Sequence, residues 1–486
     1  MTAKPISFAL VATMAGLLLL SGCDRQEGGP IVVSAIGGPV VLRNPNQVPL
    51  DSPSALLAQT TAQGLVRFEA SGQIEPALAQ RWIVSDDGLR YTFRLSGANW
   101  ADGAKVTAAQ VVARLKATTA PGSRNRLKPL LGVIDEIIGM TDDVLEISLK
   151  SPRPNFLQLL AQPEMAIIRN GHGSGPYLAS SGDDGALLLA LPKRRDDRDD
   201  AAPPQPNLHV RGEGAALAVA RFRAGRAHYV TGGTTGDLLV ARAGQTPPQA
   251  LRFDPVAGLF GLAFARRDGP LADAKVRAAL SMAIDRTSLV ADLAVPGLQP
   301  RSSLLPPGTE VQQPAVPEWA GQVIDQRRHE AEQAIAAASA GSPIRLRVAL
   351  PPGPGYRVVF AHLRRDWRQI GVEAVAVAPQ APADLRLIDQ VAPVTMASWY
   401  LRSFTCSASP ICSPEADAAM DAARIALNRQ DRRDGLVEAD LLLRDLTPFI
   451  PLTAPVRWSL VSPRLTGFQA NVFGLHAADG LIMARR

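Results

Sequence analysis

Ile74-Glu75-Pro76-Ala77-Leu78-Ala79-Gln80-Arg81-Trp82-Ile83-Val84-Ser85-Asp86-Asp87-Gly88-Leu89-Arg90-Tyr91-Thr92-Phe93-Arg94-Leu95 carries the clearest local pattern in the chain. Leu89, Tyr91, Phe93 and Leu95 alternate with Arg90, Thr92 and Arg94, the period of a strand with one buried face. Ser85-Asp86-Asp87-Gly88 ahead of it is turn chemistry. Leu145, Ile147 and Leu149 repeat the alternation against Glu146, Ser148 and Lys150. Between the two strands, Thr107 is placed to cap a helix whose Val111, Val112 and Leu115 face inward.

Farther along, Val276, Ala279, Leu280, Ala283 and Ile284 recur at helical spacing within 273–290, directly after the apolar run 258–264. Ile344, Leu346 and Val348 alternate with Arg345 and Arg347. Tyr356, Val359, Phe360, Leu363, Trp367 and Ile370 then mark one helix face. Strands alternating with helices predict an α/β, mixed α+β chain. Pro-rich stretches at 201–206, 246–248, 306–317 and 351–355 read as connectors. At 486 residues the chain has room for two or three domains of about 150 residues each. With 46% hydrophobic and 20% charged residues it is a folded protein. The net charge of +6 is scattered in pairs such as Arg194-Arg195 and Arg327-Arg328, and aromatics are 5%, so nucleic acid is not an expected partner.

The N-terminus reads as an address. Residues 6–20 are dominated by apolar side chains, too short to span a bilayer of about 20 residues. Leu20-Ser21-Gly22-Cys23 follows and resembles a bacterial lipobox, with 1–22 as a lipoprotein signal peptide, Cys23 as the lipidated residue and 23–30 as an anchor linker. Asp24 resembles the signal that keeps lipoproteins on the inner membrane of Gram-negative bacteria. The expected location is therefore the periplasm, lipid-anchored. In that oxidising compartment Cys406 and Cys412 are expected to close a small disulfide loop, since Cys metal ligands usually sit two to four residues apart.

Catalytic chemistry is not evident. Gly171-His172-Gly173-Ser174-Gly175 puts the Ser one place too late for a nucleophile elbow, so its glycines read as turn residues. No phosphate-binding loop or dinucleotide fingerprint occurs, and no two of the six histidines are three or four apart. Asp196-Asp197-Arg198-Asp199-Asp200 lacks the Gly and bidentate Glu of a calcium loop and reads as solvated. Neither a cofactor nor a metal is expected.

Residues 74–95, Trp100-Ala101-Asp102-Gly103 and Val106-Thr107-Ala108-Ala109-Gln110-Val111-Val112 together resemble the extracellular solute-binding proteins of the peptide, oligopeptide and nickel class of ABC importers. Gly261-Leu262-Ala263-Phe264 and the stretch Pro270-Leu271-Ala272-Asp273-Ala274-Lys275-Val276-Arg277-Ala278-Ala279-Leu280 are similar to the strand and first helix of that family's second lobe. Weaker echoes at Gly175-Pro176-Tyr177, Ile370-Gly371-Val372 and Phe449-Ile450-Pro451-Leu452 extend the resemblance, in order, over roughly 31–480. It departs at Ala265, around 191–200 and over 399–412, which leaves the solute open.

The resemblance implies a two-lobed, type II periplasmic binding protein-like fold. Lobe I would comprise 31–255 plus 459–486, with 54–171 as an additional subdomain, and lobe II 256–458. It implies a monomer that captures a peptide or peptide-like solute between its lobes and delivers it to an ABC permease and ATPase complex, without enzymatic activity. By position, Phe260, Trp399, Tyr400 and Arg402 are the expected ligand residues: the aromatics to stack on ligand, Arg402 to pair with its carboxylate. The alternative is that Trp399 and Tyr400 are core and Arg402 is a surface charge. Other readings of the chain are an exported lipid-anchored hydrolase, or a sensor or chaperone of the same fold without a transporter.

Overall fold

The computed structural model describes residues 29–182, 185–192, 206–247, 249–339 and 342–484. The expected signal peptide, Cys23 and the acidic run 196–200 lie outside the described residues. The first sheet has seven strands in the order Leu251–Phe253, Arg457–Val461, Tyr229–Thr234, Ile31–Ile36, Leu208–Glu213, Leu187–Ala190 and Leu178–Ser181. Its central strand, Ile31–Ile36, runs parallel to both neighbours. Ile31, Val33 and Ala35 enter one hydrophobic cluster, while Val32 and Ile36 pack on another, so both faces of this sheet are covered.

A four-stranded antiparallel sheet, ordered Ala79–Val84, Arg90–Leu95, Val144–Leu149 and Ile134–Gly139, forms the subdomain. Tyr91, Phe93 and Leu95 are buried, whereas Leu89 precedes the strand at the end of the turn. The helix Ala108–Thr119 begins with a capping box: Thr107 accepts from the Gln110 N–H, and the Gln110 side chain accepts from the Thr107 N–H. Its Val111, Val112 and Leu115 are buried beneath the sheet. The subdomain core runs from Leu65 to Ile167, with contributions from Val394, Met396 and Phe473. The helix Ser52–Thr61, expected in the subdomain, instead packs Leu56 and Leu57 into lobe I. The hydrophobic core of the subdomain begins at Leu65.

The third sheet has five strands in the order Val372–Val377, Ile344–Ala349, Leu385–Val391, Gly258–Phe264 and Phe449–Thr453. On the helix Pro354–Arg368, Tyr356, Val359, Leu363 and Trp367 are buried, and Trp367 Nε1 donates to the Leu280 carbonyl at 2.8 Å. The helical spacing across 273–290 resolves into two helices, Ala274–Met282 and Arg286–Leu293. Asp285 breaks the run by capping the second helix through the Ser288 N–H. The buried Arg286 holds the break by donating to the carbonyls of Ser281, Ile284 and Pro451.

Two segments join the seven-stranded and five-stranded sheets, 254–257 and 454–456. They lie side by side, with the Asp254 N–H donating to the Arg457 carbonyl at 3.1 Å. Arg457 and Trp458, expected at the end of lobe II, belong to the lobe I sheet, where Trp458 pairs with Phe253 and Gly233. The second crossing thus lies a few residues before the expected one, because Arg457–Val461 is held by pairing to strands distant in sequence. Among the described residues, no helix is long and apolar enough to cross a membrane.

The Gly171–Gly175 segment has a packing role. A Cβ on Gly173 would overlap the Thr61 carbonyl and the Ala62 backbone, and the Gly175 N–H donates to the Thr61 carbonyl at 2.9 Å. Ser174 is buried and its hydroxyl meets no hydrogen-bond partner. Gly173→Ala is expected to cost about 1–3 kcal/mol in urea unfolding through steric displacement of the helix end. Ser174→Ala is expected to stay within about 1 kcal/mol of wild type in the same assay.

Candidate functional site

Where the two large sheets and the subdomain converge lies a cavity of about 610 Å³, within the roughly 300–1,000 Å³ typical of small-molecule sites. Lobe I supplies one wall. Asp51 caps the helix Ser52–Thr61 by accepting from the Ser54 N–H at 3.0 Å, which presents Ser52, Ala55 and Gln59 to the space. Gly232, at φ +83°, allows the strand Tyr229–Thr234 to approach that helix, since a Cβ there would strike the Ser52 side chain.

The strand Leu385–Val391 and the helix Ala397–Arg402 form the opposite wall. The subdomain adds Arg126, Gln162 and Glu164. Gln162 Nε2 donates to the Pro393 carbonyl at 2.6 Å, tying the subdomain to lobe II at the cavity edge. Burial lifts the Glu164 carboxyl above the usual range, with the Arg126 charge opposing. A half-buried carboxylate and an exposed guanidinium thus stand at the subdomain side of the cavity.

The lobes meet through charge. Asp389, on the lobe II strand, accepts from Arg457 Nη1 of the lobe I strand at 2.7 Å and from the Tyr356 hydroxyl at 2.7 Å. Tyr356 also reaches Thr234 Oγ1 at 3.5 Å, so this helix of lobe II touches the lobe I sheet. Burial, then the adjacent Asp389 carboxylate, raises the Tyr356 pKa well above that of a free phenol, which keeps the hydroxyl a donor. Asp237 nearby is also raised, by burial first, with Asp389 adding to the shift and Thr234 opposing it.

Of the four expected ligand residues, two line this cavity. Trp399 and Arg402 stand three apart on one helix and share its exposed face. Tyr400 is corrected to the core: it points to the other face, 1% exposed, with its ring edge-on to Trp399. Burial pushes its hydroxyl up to about 12, with Arg301 opposing. Phe260 is corrected likewise. Its strand is paired on both edges and covered on both faces, so an alternate residue there has no open side. Cys406 and Cys412 form a disulfide, and Ala408 inside that loop reaches the cavity.

Asp389, Arg457, Tyr356 and Glu164 were not singled out from the sequence. Only Arg457 carried a signal, its position beside the expected crossing near Trp458. Among the described residues, no group of three or more His, Cys, Asp or Glu side chains is arranged to hold a metal ion. Asp389→Ala leaves Arg457 and Tyr356 without their shared acceptor and is expected to cost about 3–5 kcal/mol in urea unfolding. A double-mutant cycle with Arg457→Gln should return a coupling of about 0.5–3 kcal/mol, and additivity of the two variants would show that the pair does not join the lobes energetically.

Comparison with known proteins bears on this arrangement. The family model described as bacterial extracellular solute-binding proteins, family 5 Middle, matches residues 73–405, about two thirds of the chain. The chain is 27% identical over 291 residues to the probable deoxycholate-binding periplasmic protein YgiS of Escherichia coli (strain K12), an alignment covering 50% of this chain and 51% of that protein. It is 31% identical over 160 residues to the glutathione-binding protein GsiB of Escherichia coli O6:K15:H31, covering 33% of this chain and 31% of the relative. The chain thus spans about half, or less, of the relatives it matches in sequence. In structure it superposes on Haemophilus influenzae OppA in complex with the peptide RPPGFSPFR with a TM-score of 0.82 at 17% identity, covering 94% of this chain and 99% of that one. This likeness shows the two-lobed fold. With the family match running from the subdomain into the helix that bears Trp399 and Arg402, the chain belongs to the bacterial extracellular solute-binding proteins of family 5.

Proposed function

We propose that this protein is the solute-binding component of an ABC importer, which captures a peptide-like solute between its lobes and delivers it to a permease and ATPase complex in the inner membrane. The observation that carries this reading is the cavity itself: about 610 Å³, with walls from lobe I, lobe II and the subdomain. A ligand enclosed there contacts both lobes only when they are together, so its differential affinity for the closed form drives closure. The paired crossings at 254–257 and 454–456 are the hinge in this reading, and the Asp389–Arg457 pair is a contact of the closed form.

The polar groups suit a zwitterionic solute. Glu164 offers a carboxylate to an ammonium group, and Arg402 a guanidinium to a carboxylate, with Trp399 available for stacking. The relatives named for glutathione and for a bound nonapeptide support peptide-like chemistry. The one named for deoxycholate makes a carboxylated non-peptide a second class to test. The protein acts by binding rather than catalysis, as a monomer. It is held to the inner membrane from the periplasmic side by acyl chains on Cys23, since a stable anchor takes more than one chain.

The test is thermal unfolding of the protein lacking residues 1–23, screened against di- to pentapeptides, deoxycholate, nickel and haem. A true solute at one hundred times its Kd stabilises by about 2.7 kcal/mol and raises Tm accordingly. Absence of a shift with every peptide would sink the peptide assignment. For the anchor, metabolic labelling with palmitate is expected to mark the full chain and to be lost in Cys23→Ser. Labelling that survives the substitution would rule out Cys23 as the attachment point.

A further inference from the structure

Between the subdomain and lobe II, beside the main cavity, lies a niche of about 30 Å³ lined by Arg153, Arg402, Arg424 and Arg432. It shares Arg402, Pro129 and Leu130 with the main cavity, so the two spaces have a common wall. Two carboxylates answer these four cations. Asp421 lies 3.2 Å from Arg424 and 3.6 Å from Arg402, and Glu310 lies 3.2 Å from Arg432. Asp421 is largely exposed to solvent, which weakens its hold on both partners.

Arg153 has no carboxylate within ion-pair distance among the described residues and is 7% exposed. Its guanidinium donates to the carbonyls of Pro152 at 3.2 Å and Arg424 at 3.0 Å. A buried cation without a counter-charge is unfavourable, and a guanidinium does not escape by losing its proton near neutral pH. Burial first, then the neighbouring Arg432, Arg402 and Arg424, lowers its pKa to about 10, with Glu310 opposing, so it remains a cation. The niche is therefore short of negative charge. A space of 30 Å³ takes about two water-sized groups, which matches the two oxygens of a carboxylate, and the guanidinium forks favour that planar anion.

We propose that this niche is an anion subsite of the ligand cavity, which receives a carboxylate of the solute and selects acidic solutes over neutral ones. The inference rests on the solute-binding reading of the cavity. Arg153 comes from the subdomain and the other three arginines from lobe II, so an anion here also ties those two parts together.

The experiment is calorimetric titration of single-Glu tripeptides and their Gln isosteres into wild type, Arg153→Gln and Arg424→Gln. It is paired with thermal unfolding in succinate or glutarate against chloride at equal ionic strength. Wild type should bind one acidic tripeptide about tenfold tighter than its isostere, the worth of one charge-assisted pair. That ratio should fall toward unity in both variants, and the Tm rise with dicarboxylate should disappear. Equal binding of acid and isostere by wild type, or a preference that survives both substitutions, would overturn the subsite and leave peptide capture standing. A dicarboxylate shift that needs these arginines, without binding of any tripeptide, would support the subsite and overturn the peptide reading. Absence of any carboxylate response overturns the subsite. Should Arg153→Gln fail to fold, the more exposed Arg424 carries the comparison.

Discussion

The arrangement of the two large sheets depends on how two short segments, 254–257 and 454–456, are held where the chain passes between them. Asp254 anchors the first. Its carboxylate, nearly inaccessible to solvent, accepts from the Asn471 N–H at 3.0 Å and faces His476 Nε2 at 3.0 and 3.1 Å. Asn471 in turn donates its side-chain amide to the carbonyls of Ala70 and Leu475. The second crossing is held by Trp458, which lies over Gly233, where a Cβ would collide with the indole ring, and donates Nε1 to the Thr234 carbonyl at 2.9 Å. Buried hydrogen bonds thus hold the chain on both sides up to the crossing residues themselves.

Polar groups bridge the separate hydrophobic cores. Beside the apolar contacts that Val394, Met396 and Phe473 make with the subdomain core, ionic pairs and hydrogen bonds connect the parts: Asp389 with Arg457, Tyr356 with Thr234, Gln162 with the Pro393 carbonyl, Arg153 with the Arg424 carbonyl.

Much of the architecture was legible locally. The alternation at 90–95, the cap at Thr107 and the helical face from Tyr356 to Trp367 each depend on side chains a few residues apart, and the structure keeps them. The break between Ala274–Met282 and Arg286–Leu293 was missed because the apolar spacing runs through it. The interruption comes from Asp285 as a cap and from Arg286 reaching Pro451, 165 residues away. Phe260 and Tyr400 were misplaced for a related reason. Position within a resemblance gives the element, but only the packing around the element decides which side chain meets the cavity.

The sequence by itself determined the mixed α+β class and the two-lobed family fold, because periodicity and motif order are properties of neighbouring residues, whereas the helix Ala397–Arg402 that presents Trp399 and Arg402 came from the structure. Tertiary structure alone decided the site. The Asp389–Arg457 pair joins positions 68 apart, Tyr356 meets Thr234 across 122 residues, and Arg153 reaches Arg424 across 271. No local pattern encodes such encounters, since each pairs side chains that the folded chain alone brings together.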